Sequence, residues 1–289
     1  MKVIKRLLKK IIPDVVLDKI IHIDEYLRVI SMHKALKFQG LFELYNKLEA
    51  IVPDISNQYT TFKITTEYFN VKVRAEHAFQ IHMAQKAFEL LQLAVNTSIT
   101  VVDIGDSSGT HLQYLKHFYR CIDTLSVNID NEAVDRIRQK GMNAICARAE
   151  DLNDYSTNAD IYTSFEMIEH LCNPINFLYD LSHKIECKAF VVTVPYVENR
   201  RVGLRHIRNN CKNSVFNENV HIFELSPSDW KLIFKHTGWS VIYDKVYLQY
   251  PKMGLFSLMK DYWKKIDYEG FYGAVLSRDF SWSNLYKGW

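Results

Sequence analysis

The 289-residue chain has no Cys-x-x-Cys pair. Its five cysteines, Cys121, Cys146, Cys172, Cys187 and Cys211, stand singly, which argues against a zinc knuckle and offers no disulfide framework. A reducing compartment is expected. No uninterrupted apolar run reaches the roughly 18 to 20 residues of a membrane span, and the first residues lack the continuous apolar core of a signal peptide. The expected location is therefore cytoplasmic. Charge of one sign is also scarce: 36 Lys and Arg against 33 Asp and Glu leave a net charge of +3. That is too small for the bulk electrostatic footprint of a nucleic-acid binder, so nucleic acid is not an expected partner and any basic site must be local. Internal repeats and low-complexity stretches are absent too.

What is present is material for a core. Hydrophobic residues make up 48% of the chain, enough for one α/β domain with a smaller appendage. Residues 2–12 place Val3, Ile4, Leu7, Leu8, Ile11 and Ile12 at helical spacing opposite Lys2, Lys5, Arg6, Lys9 and Lys10. Such a basic amphipathic helix either packs on the protein body or attaches reversibly to an anionic membrane surface, which would make the protein peripheral to the inner face of the membrane. Pro13 interrupts it, and residues 15–50 continue in a mostly helical pattern. Another helical pattern over 72–94 leads into short apolar runs that alternate with helical segments. Strands are expected at 99–104, 124–129, 143–147, 160–165 and 189–195, and β-rich segments at 239–249 and 271–278 complete a set of seven. Near-continuous apolar strands alternating with helices indicate a mostly parallel sheet covered on both faces. The expected architecture is a Rossmann-like α/β domain over 71–289, with a basic loop at 197–220 and an aromatic insertion at 251–268, behind a helical N-terminal extension over 1–70.

The run Val101-Val102-Asp103-Ile104-Gly105-Asp106-Ser107-Ser108-Gly109-Thr110 is a buried strand that stops at a loop of small residues and then turns helical. Gly105 and Gly109 suit a loop that a ligand must approach closely and where φ can be positive. The spacing is not the Gly-x-Gly-x-x-Gly of a dinucleotide fingerprint, and no Gly-Lys-Ser/Thr of a P-loop follows. Asp103-x-Gly105-x-x-x-Gly109 resembles motif I of the class I S-adenosylmethionine-dependent methyltransferases, with Ser107 where a central glycine is usual. That resemblance implies a loop backing the methionine half of the cofactor, formed by Asp103, Gly105, Asp106, Ser107 and Gly109. The next strand ends in Asn128-Ile129-Asp130. An acid at such a strand end can accept two hydrogen bonds from vicinal ribose hydroxyls, and the family pattern puts Asn128 at that position, with Asp130 as its substitute or as the cap of the following helix. Ala147-Arg148-Ala149-Glu150-Asp151-Leu152 is similar to the family segment that borders the adenine, which implicates Ala149 and Glu150.

The fourth strand ends in Phe165-Glu166-Met167-Ile168-Glu169-His170, with Phe165 beside the expected cofactor. If a helix starts near Met167, Glu166, Glu169 and His170 form one polar cluster. The Glu-x-x-Glu-His pattern resembles that of the ubiquinone-biosynthesis O-methyltransferases and the small-RNA ribose O-methyltransferases, in which it can hold a divalent metal. Glu166, Glu169 and His170 are therefore candidate ligands for Mg2+ or Mn2+, which would lower the pKa of a substrate hydroxyl. A metal-free role for His170 as general base, or a structural one, stays open, and His221 is a candidate second base or ligand. Arg200, Arg201, Arg205 and His206 lie where a parallel sheet presents its acceptor loops, and grouped arginines suit phosphate or carboxylate recognition. The expected activity is O-methylation of a sugar or phosphosugar acceptor, with a likeness to methyltransferases that tailor surface polysaccharides. A small aromatic or quinone acceptor, or a scaffold that kept the fold and lost turnover, are the alternatives.

Overall fold

The computed structural model describes residues 14–93, 98–155, 157–216, 219–249 and 270–286. The basic helix expected at 2–12 and the aromatic insertion at 251–268 lie outside them. Among the described residues no helix is long and apolar enough to cross a membrane.

Three helices come first, α1 (Asp14–Phe38), α2 (Phe42–Ile51) and α3 (Glu67–Leu90). Chain alternation follows: β1 (Ile99–Ile104), α4 (Thr110–Phe118), β2 (Ile122–Asn128), α5 (Asn131–Gln139), β3 (Asn143–Cys146), β4 (Ile161–Phe165), α6 (Pro174–Lys184) and β5 (Ala189–Tyr196). A short ribbon then forms from β6 (Arg201–Val202) and β7 (Phe223–Glu224), enclosing α7 (Arg205–Arg208). Helix α8 (Pro227–His236) and the antiparallel strands β8 (Trp239–Leu248) and β9 (Gly270–Arg278) complete the fold.

The seven-stranded sheet has the order β3-β2-β1-β4-β5-β9-β8, parallel through β5 and antiparallel at β9. The period-2 alternation of side chains sorts neighbouring residues to opposite faces. Val101, Ile161 and Val191 join the core under α1 to α5. Val102, Tyr162 and Val192 face the core that contains Phe177, Leu178 and Leu181 of α6 and Trp230 and Phe234 of α8. Both faces are thus covered, as near-continuous apolar strands require. The seven strands appear where the sequence places them, with ends shifted by a residue or two. The N-terminal helices share the first core: Met32, Leu36 and Leu48 are fully buried there with Phe79 of α3 and Val275 of β9.

Strand order reverses between β1 and β4, and a crevice at the carboxyl ends of strands flanking such a switch point is where open α/β sheets bind ligands. The loop after β1, the end of β2 and the turn after β4 all converge on that edge.

Candidate cofactor and catalytic site

Strand β1 delivers Asp103 into the interior, where a bare carboxylate would be costly. Thr163 Oγ1 donates to its Oδ1 at 2.7 Å and His111 Nδ1 lies 3.1 Å from Oδ2. The other imidazole nitrogen, Nε2, meets Gln80 Oε1 at 2.9 Å. The loop that follows turns on Gly105 at φ +91° and Gly109 at φ +75°, a region that L side chains rarely adopt. A Cβ on Gly105 would also sit 2.8 Å from Met167 Cγ, so the loop and the turn after β4 are packed together. Asp106 folds back on this loop, its Oδ1 accepting from the backbone N–H of Gly109 (2.8 Å) and Ser108 (3.3 Å). Its Oδ2 is buried without a hydrogen-bond partner. Burial first, and then the neighbouring Asp103, raise the Asp106 pKa to about 7. Burial opposes charge on His111, but the Asp103 hydrogen bond and charge outweigh it and its pKa rises. Asp103, Asp106 and His111 bring their ligand atoms within 4.8 Å of one another, yet His111 spends both nitrogens on Asp103 and Gln80. That cluster is a buried brace behind the loop.

Asn128 and Asp130 both make hydrogen bonds within the fold. Asn128 Nδ2 donates to the Asp106 carbonyl at 2.8 Å, and its Oδ1 accepts from the Asp130 backbone N–H at 2.8 Å. Asp130 caps α5, its Oδ1 accepting from Glu132 N–H at 2.9 Å, while its Oδ2 accepts from Thr60 Oγ1 at 2.7 Å. Ala149 and Glu150 open a 3-10 turn (Ala149–Tyr155) beyond β3, with Glu150 3.2 Å from Arg148. Phe165 is buried, its ring edge-on to His111.

The turn after β4 differs from the expected helix. Glu166 adopts φ +51°, and its N–H donates to the Thr193 carbonyl of β5 at 2.9 Å. Only a 3-10 turn (Ile168–His170) follows, and α6 begins at Pro174 behind an Asn173 cap. The left-handed Glu166 breaks a helix upstream of the turn, and Pro174 pushes its preceding residue out of the helical region while suiting the first helical position. Glu169 is consequently driven inward: it is fully buried, and neither carboxylate oxygen accepts a hydrogen bond. Burial raises its pKa to about 8, and burial with the nearby Glu169 pushes Glu166 well above the usual carboxylate range.

The β6/β7 ribbon supplies the remaining partner. Ile222 N–H donates to the Glu169 carbonyl at 2.8 Å, and Leu204 N–H to the His221 carbonyl at 2.7 Å. His170 Nδ1 lies 3.0 Å from the Val220 carbonyl, which only accepts, so the neutral ring keeps its lone pair on Nε2, 3.7 Å from Glu169 Oε1. His221 packs edge-on at a ring separation of 4.6 Å. Burial, reinforced by His170, lowers the His221 pKa to about 4. The ligand atoms of Glu169, His170 and His221 all lie within 4.8 Å of one another. The expected trio of Glu166, Glu169 and His170 is thus rearranged, with His221 joining the cluster from 51 positions downstream of His170 and Glu166 adjacent to it.

Of the basic acceptor loop, Arg200 is paired with Asp229 (2.7 Å) and Arg201 with Glu224, so both are neutralised by the fold. Arg205 is exposed, and His206 is half-buried with its Nδ1 inaccessible and without a hydrogen-bond partner. The sequence reading missed Gln58, Thr60 and Gln80. Gln80 leaves a signal, since it follows Arg74 and His77 at intervals of three among the mostly apolar buried residues of α3. Gln58 and Thr60 leave none.

No protein-family model matches the chain, and no curated protein matches it by sequence. Similarity lies in three dimensions. A magnesium protoporphyrin IX methyltransferase from Synechocystis PCC 6803 with bound S-adenosylhomocysteine superposes with a TM-score of 0.52 at 11% identity, covering 87% of this chain and 100% of that one. A protein assigned as a sarcosine dimethylglycine methyltransferase from Galdieria sulphuraria superposes with a TM-score of 0.51 at 10% identity, covering 74% of this chain and 87% of that one. The seven-stranded sheet, its strand order and its covering helices give this chain the fold of the S-adenosylmethionine-dependent methyltransferases.

Proposed function

We propose that this protein transfers a methyl group from S-adenosylmethionine to an acceptor hydroxyl. The observation that carries the reading is Glu169, a fully buried carboxyl with no hydrogen bond, beside two imidazoles in the turn whose Met167 packs on Gly105 of the glycine loop. An orphaned carboxyl of this kind is costly unless it has a ligand. The positive-φ Gly105 and Gly109 fit the approach of a cofactor to the backbone, and the Glu169 carboxylate with the His221 imidazole offers the oxygen and nitrogen ligands of a divalent cation such as Mg2+ or Mn2+.

When bound, the cofactor supplies an electrophilic methyl on sulfur, and a cation would lower the pKa of the acceptor hydroxyl. The chain's own contribution is positioning and proton removal. His170 Nε2, left as acceptor by the Nδ1 contact with the Val220 carbonyl, would take the proton of the acceptor hydroxyl as its oxygen receives the methyl group. Glu169 and His221 would hold the ion, and Glu166 beside them would hold a proton or join the ligands. The acceptor we favour is an anionic sugar or phosphosugar of a surface glycan, because Arg205, Arg208 and Lys212 are exposed on the arm that carries His206 and no described carboxylate pairs with them. Attachment of residues 2–12 to an anionic membrane would place the enzyme near such an acceptor. A small aromatic acceptor would be read instead from activity that survives charge reversal on this arm.

Isothermal titration with S-adenosylhomocysteine, with and without Mn2+, tests the reading. Wild-type protein is expected to bind both. Glu169→Gln and His221→Ala should each weaken Mn2+ binding by at least about tenfold while leaving S-adenosylhomocysteine affinity in metal-free buffer within about twofold. Absence of nucleoside binding refutes the methyltransferase assignment, and unchanged Mn2+ affinity in both variants refutes the metal.

A further inference from the structure

The segment joining α2 to α3 engages the loop after β1 through a single buried side chain. Gln58 is 3% exposed, and each partner of its side-chain amide belongs to that loop or to Thr110 at the start of α4. Its Nε2 donates to Ser107 Oγ at 3.0 Å, and its Oε1 accepts from Ser108 Oγ at 2.9 Å and Thr110 Oγ1 at 2.7 Å. Two residues on, Thr60 Oγ1 donates to Asp130 Oδ2. Arg136 of α5 reaches back, donating to the Asn57 and Tyr59 carbonyls at 3.2 Å each. The segment's start is held by fully buried Arg74 of α3, which donates to the Val52 and Pro53 carbonyls at 2.9 Å each. A strap of chain outside the α/β repeat is therefore hydrogen-bonded to both ends of the expected cofactor contact, the glycine loop and the end of β2.

These bonds explain the two departures from the motif. Ser107, where a glycine is usual, supplies the hydroxyl that Gln58 meets. Asn128, where an acid is usual, supplies an N–H to the Asp106 carbonyl that a carboxylate could not donate. The acid left at the end of β2 is then Asp130, aligned from outside the sheet by Thr60, and its carboxylate oxygens retain lone pairs that a ribose hydroxyl could use.

We propose that residues 57–60 form a wall of the nucleoside site, with Gln58 positioning the loop for the methionine half and Thr60, through Asp130, positioning the ribose. This rests on the cofactor reading above. The two halves are separable with two ligands, S-adenosylhomocysteine and 5′-methylthioadenosine, which keeps the nucleoside but lacks the amino and carboxylate groups. Titration of both into full-length wild type, Gln58→Met, Thr60→Val and Thr60→Ser, with a melting curve for each protein, tests it. Gln58→Met keeps the volume and loses the bonds. It should weaken S-adenosylhomocysteine by about tenfold and 5′-methylthioadenosine by no more than about twofold. Thr60→Val should weaken both ligands by a similar factor, about three- to tenfold, and Thr60→Ser should restore both. A purely structural strap would lower the melting temperature and leave both affinities alike, and that result, or an equal loss of both ligands in Gln58→Met, overturns the assignment. Should Gln58→Met fail to fold, the Thr60 pair decides alone: equal binding by Val and Ser variants is refutation. A wild type that binds neither ligand removes the methyltransferase reading and this one with it, whereas wild-type binding with unaffected variants removes only this one.

Discussion

Asp106 is a carboxyl that the fold prefers protonated. Its pKa rises to about 7 through burial and the adjacent Asp103, whereas in an unfolded chain it would titrate near the ordinary value of about 3.9. A group whose folded pKa is raised contributes stability that is complete below the unfolded pKa and is lost as pH rises through the folded one. Wild-type stability from this group therefore falls between about pH 4 and 7. Asp106→Asn keeps an oxygen for the Gly109 and Ser108 N–H groups and replaces the orphaned Oδ2 with a neutral amide. Relative to wild type it should gain stability across that window, by about 4 kcal/mol at pH 8 compared with pH 4. Urea unfolding midpoints at several pH values measure it; a parallel pair of curves would mean that the carboxyl is ionised in the folded protein at all of them.

At the scale of the element, the loop after β1 is constrained on both sides. Gly109 combines a positive φ with a Cβ position 2.3 Å from Met142 Cε and 3.3 Å from two atoms of Ile137. Gly40 has a similar φ of +71° with open space around it, so the pair separates backbone strain from crowding. Gly40→Ala should cost about 1 kcal/mol from the left-handed backbone alone. Gly109→Ala should cost roughly 1 to 2 kcal/mol more, because Met142 must leave its packed position. Equal costs in chemical denaturation would show that the methionine yields freely. The turn after β4 carries a related lesson. Three residues of 3-10 geometry, bounded by left-handed Glu166 and by Pro174, point Glu169 into the interior, where a continuous α-helix would have spread the same side chains along one face.

Across the whole molecule, the N-terminal helices belong to the α/β domain's own core. Met32, Leu36 and Leu48 are fully buried in the cluster that also holds Val101 and Val191 of the sheet. Arg74 relies on the carbonyls of Val52 and Pro53 and lies 3.8 Å from Glu49. Deleting residues 1–53 would expose that apolar face and strand a buried guanidinium without its partners, a loss of the kind that costs about 3 to 5 kcal/mol for the charge alone. The truncated protein should bind a hydrophobic dye and lose its cooperative thermal transition, as followed by fluorescence and near-ultraviolet circular dichroism. A sharp transition near the wild-type temperature would mean that the extension is a detachable appendage.

The sequence by itself determined the sheet. Runs such as Ile99–Ile104 and Ala189–Tyr196 are apolar on both faces, and that pattern is local, so strand positions, class of fold and the glycine loop were legible from composition and period. Also legible were Asp103, Gly105, Gly109 and the Glu-x-x-Glu-His run, because a short motif keeps its chemistry within a few residues. Only the tertiary structure decided which of those residues meet. His221 reaches Glu169 and His170 through ribbon hydrogen bonds that no spacing encodes. Arg200 and Arg201 are paired with Asp229 and Glu224 from elements further along the chain. Gln58 joins a loop 49 to 52 residues away. Contacts of that range follow from how layers pack, and a buried polar group takes whichever partner packing brings within reach.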